Sequence, residues 1–134
     1  MARGQDRVAE RRAAVAGLGK DLARRARSRC ELCGEGGSLT VVEPGPAPEE
    51  PVLEAAVLLC ARCAALATAS SARLKSDQDS LRFLTTAIWA ELPMVQALAV
   101  RVCRQLSAPW AALALEDLVI DDEIEALVRG ASAR

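Results

Sequence analysis

This 134-residue chain contains no histidine and no tyrosine, so any metal must use Cys, Asp or Glu, and its five cysteines are the first residues to weigh. Four of them form two Cys-x-x-Cys pairs, Cys30-Glu31-Leu32-Cys33 and Cys60-Ala61-Arg62-Cys63, with 26 residues between the pairs. Zinc takes four soft ligands in a tetrahedron with Zn–S near about 2.3 Å, and a two-residue spacer lets both thiolates of a pair reach one ion. Gly34 directly after Cys33 eases the turn that aims backbone N–H groups at the sulfurs. Cys30, Cys33, Cys60 and Cys63 are therefore expected to hold one structural Zn²⁺ per chain. The rival reading is a pair of redox dithiols, but those usually carry a single motif at a helix start near a βαβ pattern, which is missing here. A site filled by four thiolates keeps no position for water, so no catalytic residue is assigned. Cys103 reads as a small buried hydrophobe with no imidazole to activate it, flanked by Arg101 and Arg104 pointing to solvent.

Other chemistry is narrowed by composition. Without histidine there is no imidazole base, no Ser-His-Asp or Cys-His pair and no histidine ligand. No glycine-rich phosphate loop, paired-carboxylate site or nucleophile elbow is visible. No run of about 18 apolar residues suggests a membrane span, so no membrane partner is expected. The N-terminus lacks the apolar run of a signal peptide, so a cytoplasmic, reducing location is expected, which favours metal binding over disulfides.

The elements that must position the cysteines follow from pattern. Residues 5–28 read as a basic helix with Val8, Val15, Leu18 and Leu22 in a narrow stripe, interrupted near Gly17 and Gly19. Leu39-Thr40-Val41-Val42 and Val57-Leu58-Leu59 are short β-prone runs on either side of a proline-rich loop at 43–51. A helix is predicted from Ala61 to about Arg73. Asp79 or Ser80 is placed to cap a helix with Leu81, Leu84, Ile88 and Leu92 on its inner face and Trp89 beside them; Pro93 interrupts it. Val95, Leu98, Val102 and Leu106 mark the next helix, with Gln96 able to bond the loose end before it. Ser107 is the expected cap of a helix with Pro109 in its first turn and Trp110 and Leu113 facing in. Asp121 is the expected cap of a last helix that Gly130 would end.

Charge is segregated along the chain. Residues 1–29 carry a net charge of +6 and residues 30–63 of −5, while 108–134 carry −4. The basic head is expected to meet the acidic segments within the fold or between chains, so a homo-oligomer is one expectation. The Arg24, Arg25, Arg27 and Arg29 run also permits contact with nucleic-acid phosphates.

Two resemblances attach to these motifs. Arg29-Cys30-Glu31-Leu32-Cys33-Gly34, Leu39-Thr40-Val41 and Leu58-Leu59-Cys60-Ala61-Arg62-Cys63 resemble the zinc frame of HNH endonucleases. Where those enzymes carry histidines, this chain has Val42 and Glu43 before Pro44, and Ala64 after the last cysteine. That resemblance implies the frame without the nuclease. The longer resemblance is to the PhnA-like (alkylphosphonate utilisation) family. It runs from the Cys-Glu-Leu-Cys-Gly knuckle through Leu81-Arg82-Phe83-Leu84, Ile88 to Gln96 and Ala99-Val100-Arg101 to Trp110-Ala111 and Leu115 to Glu123. It covers 28–129, about three quarters of the chain. The departures fall around Ser80, Val100 and Val119, where other residues replace expected aromatics, and in the extra helix before Arg27.

The expected protein is thus α+β and mostly helical. A basic N-terminal helix (1–29) precedes a four-cysteine, treble-clef or zinc-ribbon-like hairpin module (30–73) and a small helical bundle resembling the PhnA-like domain (74–134). Its expected function is that of a non-catalytic zinc-binding protein acting on a protein partner through an interaction surface. The alternatives are a nucleic-acid-binding module using the basic helix, and an enzyme acting on a small phosphonate-like anion.

Overall fold

A computed structural model describes residues 2–45, 48, 50–68 and 77–132. The basic head forms two helices, α1 (Ala2–Gly17) and α2 (Gly19–Ala26). They separate at Leu18, where the two flanking glycines weaken the helix. Gly19 packs beside β1: a Cβ there would sit 3.7 Å from Val41 Cγ2, an ordinary contact, so its effect is on helix propensity and not on space. Arg27 and Ser28 both adopt left-handed backbone angles (φ 56° and 59°). Their N–H groups bond Arg24 O and Ala23 O, closing α2 and turning the chain into the first cysteine pair.

Strands β1 (Leu39–Val42) and β2 (Val57–Cys60) pair antiparallel, with Leu39 opposite Cys60 and Val42 opposite Val57. Three consecutive residues of β2 are buried because both faces of the hairpin are covered. Val57 and Leu59 face the main core, whereas Leu58 packs with Ala56 and with Leu22 of α2 in a second apolar cluster. Helix α3 (Ala61–Thr68) follows β2 directly; the rest of the helix expected up to Arg73 lies outside the described residues.

The remaining helices surround α5 (Pro93–Gln105); the proline expected to interrupt the preceding helix also opens this one. Met94, Val95 and every residue from Ala97 to Cys103 are buried, so α5 is enclosed on all sides. Two 3-10 turns (Leu53–Ala55 and Gln78–Leu81), α4 (Leu84–Ala87), α6 (Pro109–Glu116) and α7 (Asp122–Ser132) complete the described elements. Gln96 Nε2 donates to Ile88 O at 2.9 Å, and Asp121 Oδ1 accepts from Ile124 N–H at 2.9 Å, both as the sequence suggests. The core formed around α5 also takes in Cys30, Leu32 and Cys63, so the cysteine module and the helices share one apolar interior.

Several expectations are corrected. The single helix expected over Leu81–Leu92 is a 3-10 turn followed by the one-turn α4. Neither Asp79 nor Ser80 caps it by side chain; Asp77 precedes the turn in a left-handed conformation (φ 51°), and Ser80 Oγ donates to Asp77 O. Trp89, expected in the core, lies in the turn after α4 and is 55% exposed, and Leu113 is 61% exposed. Ser107 does not cap α6. Gln78, 29 residues earlier, accepts hydrogen bonds from Ser107 N–H (3.1 Å) and Ala108 N–H (2.7 Å) instead. Gly130 lies within α7, which continues to Ser132. Arg101 is buried, not solvent-facing. Its Nη2 donates to Ala67 O at 2.6 Å, in the last turn of α3, where unpaired carbonyls and the helix dipole favour a cation. No helix of the described residues is long and apolar enough to cross a membrane.

Candidate metal centre

The first cysteine pair sits on a tight turn. Gly34 N–H donates to Cys30 O (2.9 Å), and Cys30 N–H to Glu35 O (2.8 Å). Gly34 has φ +83°, a conformation that only glycine adopts without strain. The second pair is set by different means: Cys60 ends β2, and Cys63 lies in the first turn of α3, near the positive end of the helix dipole that favours thiolates. The hairpin register carries Cys60 back to the knuckle. The four Sγ atoms of Cys30, Cys33, Cys60 and Cys63 all lie within 4.8 Å of one another.

That separation can be compared with coordination geometry. Four sulfurs about 2.3 Å from a common centre stand about 3.8 Å apart along each edge of a regular tetrahedron. Cys33 Sγ and Cys60 Sγ, from opposite pairs, are 3.7 Å apart. All five cysteines are free, and Cys103 is buried away from the cluster. Four cysteines thus come close enough to share one metal ion, in a pocket whose deepest members, Cys30 and Cys63, are buried.

Protons are unequally held in this cluster. The hydrogen bond with Cys63 holds Cys30 down at about 4. The same bond, with burial, pushes Cys63 well above the ordinary thiol value, and burial pushes Cys33 up. A divalent cation would take the place of those protons, since metal binding requires the thiolate forms. Four thiolates and one divalent ion carry a net −2. Burial works against the charge of Arg62, but its hydrogen bond to Cys33 and the nearby thiols outweigh that effect and raise its pKa. The Arg62 guanidinium also lies 4.9 Å above the Phe83 ring, which fixes it beside the cluster.

The two pairs are tied together by Glu31, inside the first Cys-x-x-Cys. Glu31 N–H donates to Leu58 O at 2.8 Å, and its carboxylate accepts from Leu58 N–H at 2.9 Å, so the knuckle is sewn to the outer edge of β2. Arg25 of α2 forks onto the same carboxylate, with Nε at 2.8 Å and Nη2 at 2.7 Å. Arg25 also donates to Leu53 O (3.1 Å) and Ala56 O (2.9 Å). Arg11 of α1 repeats the pattern with Glu43 after β1, at 2.7 Å. The basic head therefore meets the acidic middle within one chain. Glu31, Arg25 and Arg62 are supporting residues that the motif spacing did not single out. For Glu31 and Arg62 the signal was a charged side chain inside each spacer; Arg25, five residues before Cys30, had none.

Comparison with family models, with curated proteins and with solved structures gives no match to this chain. Fold and site define a small, mostly helical protein with a two-stranded antiparallel sheet and a four-cysteine cluster able to bind a metal ion.

Proposed function

We propose that the protein is a non-catalytic zinc-binding protein in which Cys30, Cys33, Cys60 and Cys63 hold one structural ion, and that the folded chain acts through an interaction surface on another protein. The observation that carries this reading is the approach of four sulfurs, from two elements 26 residues apart in sequence, to within 4.8 Å of one another. An all-sulfur donor set suits zinc, and it fills the coordination shell, which favours a structural role. The order knuckle, hairpin, helix supports a treble-clef or zinc-ribbon-like description of residues 30–73, followed by a PhnA-like helical unit at 74–134. A reducing, cytoplasmic setting accords with free cysteines.

Elemental analysis of the purified protein tests the reading. It should give one zinc per chain, and none for Cys30→Ser. Metal-free protein that cycles between a dithiol and a Cys30–Cys33 or Cys60–Cys63 disulfide would replace it with the redox reading. Phosphonate turnover by the metal-loaded protein, abolished by a substitution outside the cysteines, would replace it with an enzymatic one.

A second reading, nucleic-acid binding through the basic head, is supported by Arg7, Arg12, Lys20, Arg24, Arg27 and Arg29. All are exposed and take part in no ion pair among the described residues. Phosphate-driven binding is strongest at low salt, so absence of DNA and RNA retention at about 50 mM salt would remove it.

A further inference from the structure

Trp89 and Trp110 are the chain's only tryptophans, and both line one surface cleft of about 380 Å³ with Thr85, Leu113, Ala114 and Asp117. This volume falls in the lower part of the range of small-molecule sites, about 300–1,000 Å³. Packing does not account for the cleft. Trp89 is 55% and Leu113 61% exposed, although large apolar groups normally gain by burial. Helix α6 carries no polar residue before its terminal Glu116, yet its Ala112 and Leu113 face solvent. A helix apolar on all sides ordinarily lies in an interior.

Of the residues that line the cleft, Asp117 is the only charged one. Indole faces are the negative side of the ring quadrupole. Asp117 closes the C-terminal end of α6, where the helix dipole is also negative. Neither Asp117 nor Glu116 forms an ion pair among the described residues. One cation of the chain already uses this surface: the Arg82 guanidinium lies 5.9 Å above the Trp110 ring. Grouped aromatic side chains recognise quaternary ammonium groups, and a carboxylate in the same cleft adds attraction for a cation.

We propose that the Trp89–Trp110 cleft binds an organic cation, an alkylated ammonium group, with Asp117 as its counter-charge. The site is separate from the cysteine cluster and does not depend on the metal reading.

Because the chain has no tyrosine, its intrinsic emission above the phenylalanine range comes from these two indoles alone. Tetramethylammonium chloride titrated into the full-length, metal-loaded protein at constant ionic strength should change that emission saturably, with a midpoint of about 1–10 mM. Asp117→Asn should raise the midpoint at least about threefold, by removing the counter-charge. Trp89→Leu should abolish the response while Trp110 still reports. Both replaced residues are exposed, so both variants should keep the wild-type far-UV spectrum; if Trp89→Leu fails to fold, Asp117→Asn carries the test. Tighter binding of Nε-trimethyllysine than of choline would assign the cation to a protein side chain, and the reverse to a free metabolite. The proposal is overturned if wild type gives no saturable change up to about 100 mM, a concentration that would detect even a single weak cation–π contact. It is equally overturned if the neutral carbon isostere of choline binds as well as choline, or if Asp117→Asn leaves the midpoint unmoved.

Discussion

Replacing Glu31 with alanine removes the group that fastens the first cysteine pair to β2. Its side chain is 3% exposed and accepts three hydrogen bonds, two from Arg25 and one from Leu58 N–H. Loss of the carboxylate leaves the buried Leu58 N–H unpaired, which costs about 1–3 kcal/mol. It also strands the Arg25 charge. Breaking a fully buried pair costs about 3–5 kcal/mol, but Arg25 keeps two carbonyl acceptors and is 24% exposed, so its share is smaller. The expected total is about 3 kcal/mol, a large part of the roughly 5–15 kcal/mol that stabilises a domain. Glu31→Gln keeps an acceptor for Leu58 N–H and loses only the ionic part, so about 1–2 kcal/mol is expected. Since the knuckle then moves relative to Cys60 and Cys63, metal affinity should fall about 10–100-fold in Glu31→Ala. Urea unfolding at fixed free zinc, followed by far-UV circular dichroism, measures the stability, and competition with a chromophoric chelator measures the affinity. A Glu31→Ala protein within about 0.5 kcal/mol of wild type, or a Glu31→Gln protein as damaged as the alanine variant, would refute the reasoning.

Three more outcomes are expected. Burial pushes the Cys103 thiol up to about 11. The unfolded thiol ionises near its ordinary value of 9.0 while the folded one stays protonated, so this contribution is fully present below pH 9 and is lost as pH rises from about 9 to about 11. Metal-loaded Cys103→Ala should lack that part of the alkaline decline, and an identical decline in both proteins would contradict the assignment. Arg101 is buried with its Nε unpaired, and burial lowers its pKa. Arg101→Met should therefore lie within about 1 kcal/mol of wild type or be more stable by urea midpoint, whereas Arg101→Ala, which leaves a cavity, should lose about 2 kcal/mol. Gln78→Ala should cost about 1 kcal/mol through loss of the α6 cap, and Ser107→Ala less than half of that. The reverse order in thermal melts would return the cap to Ser107.

What could be read from the chain by itself was what depends on neighbours in sequence. The four-cysteine cluster was legible because two-residue spacers and four thiols suggest a shared site before any fold exists. The break near Gly17 and Gly19, the interruption at Pro93 and the place of Pro109 in a first turn were legible because backbone restrictions on glycine and proline act locally, and the hairpin strands because their residues are β-prone. The Gln96 and Asp121 bonds span eight and three residues, within reach of local reasoning. Tertiary structure decided the rest. Gln78 displaces Ser107 across 29 residues, and Arg101 is buried because the end of α3, 34 residues away, supplies an acceptor. Trp89 faces water from the turn that follows the short α4, where a longer helix was expected, and no periodicity of apolar residues reveals that early end. Glu31 and Arg25 looked like surface charge until the knuckle, the hairpin and α2 converged on one carboxylate. In each case a polar or aromatic side chain has several partners of similar worth, and only the packed chain determines which of them is within reach.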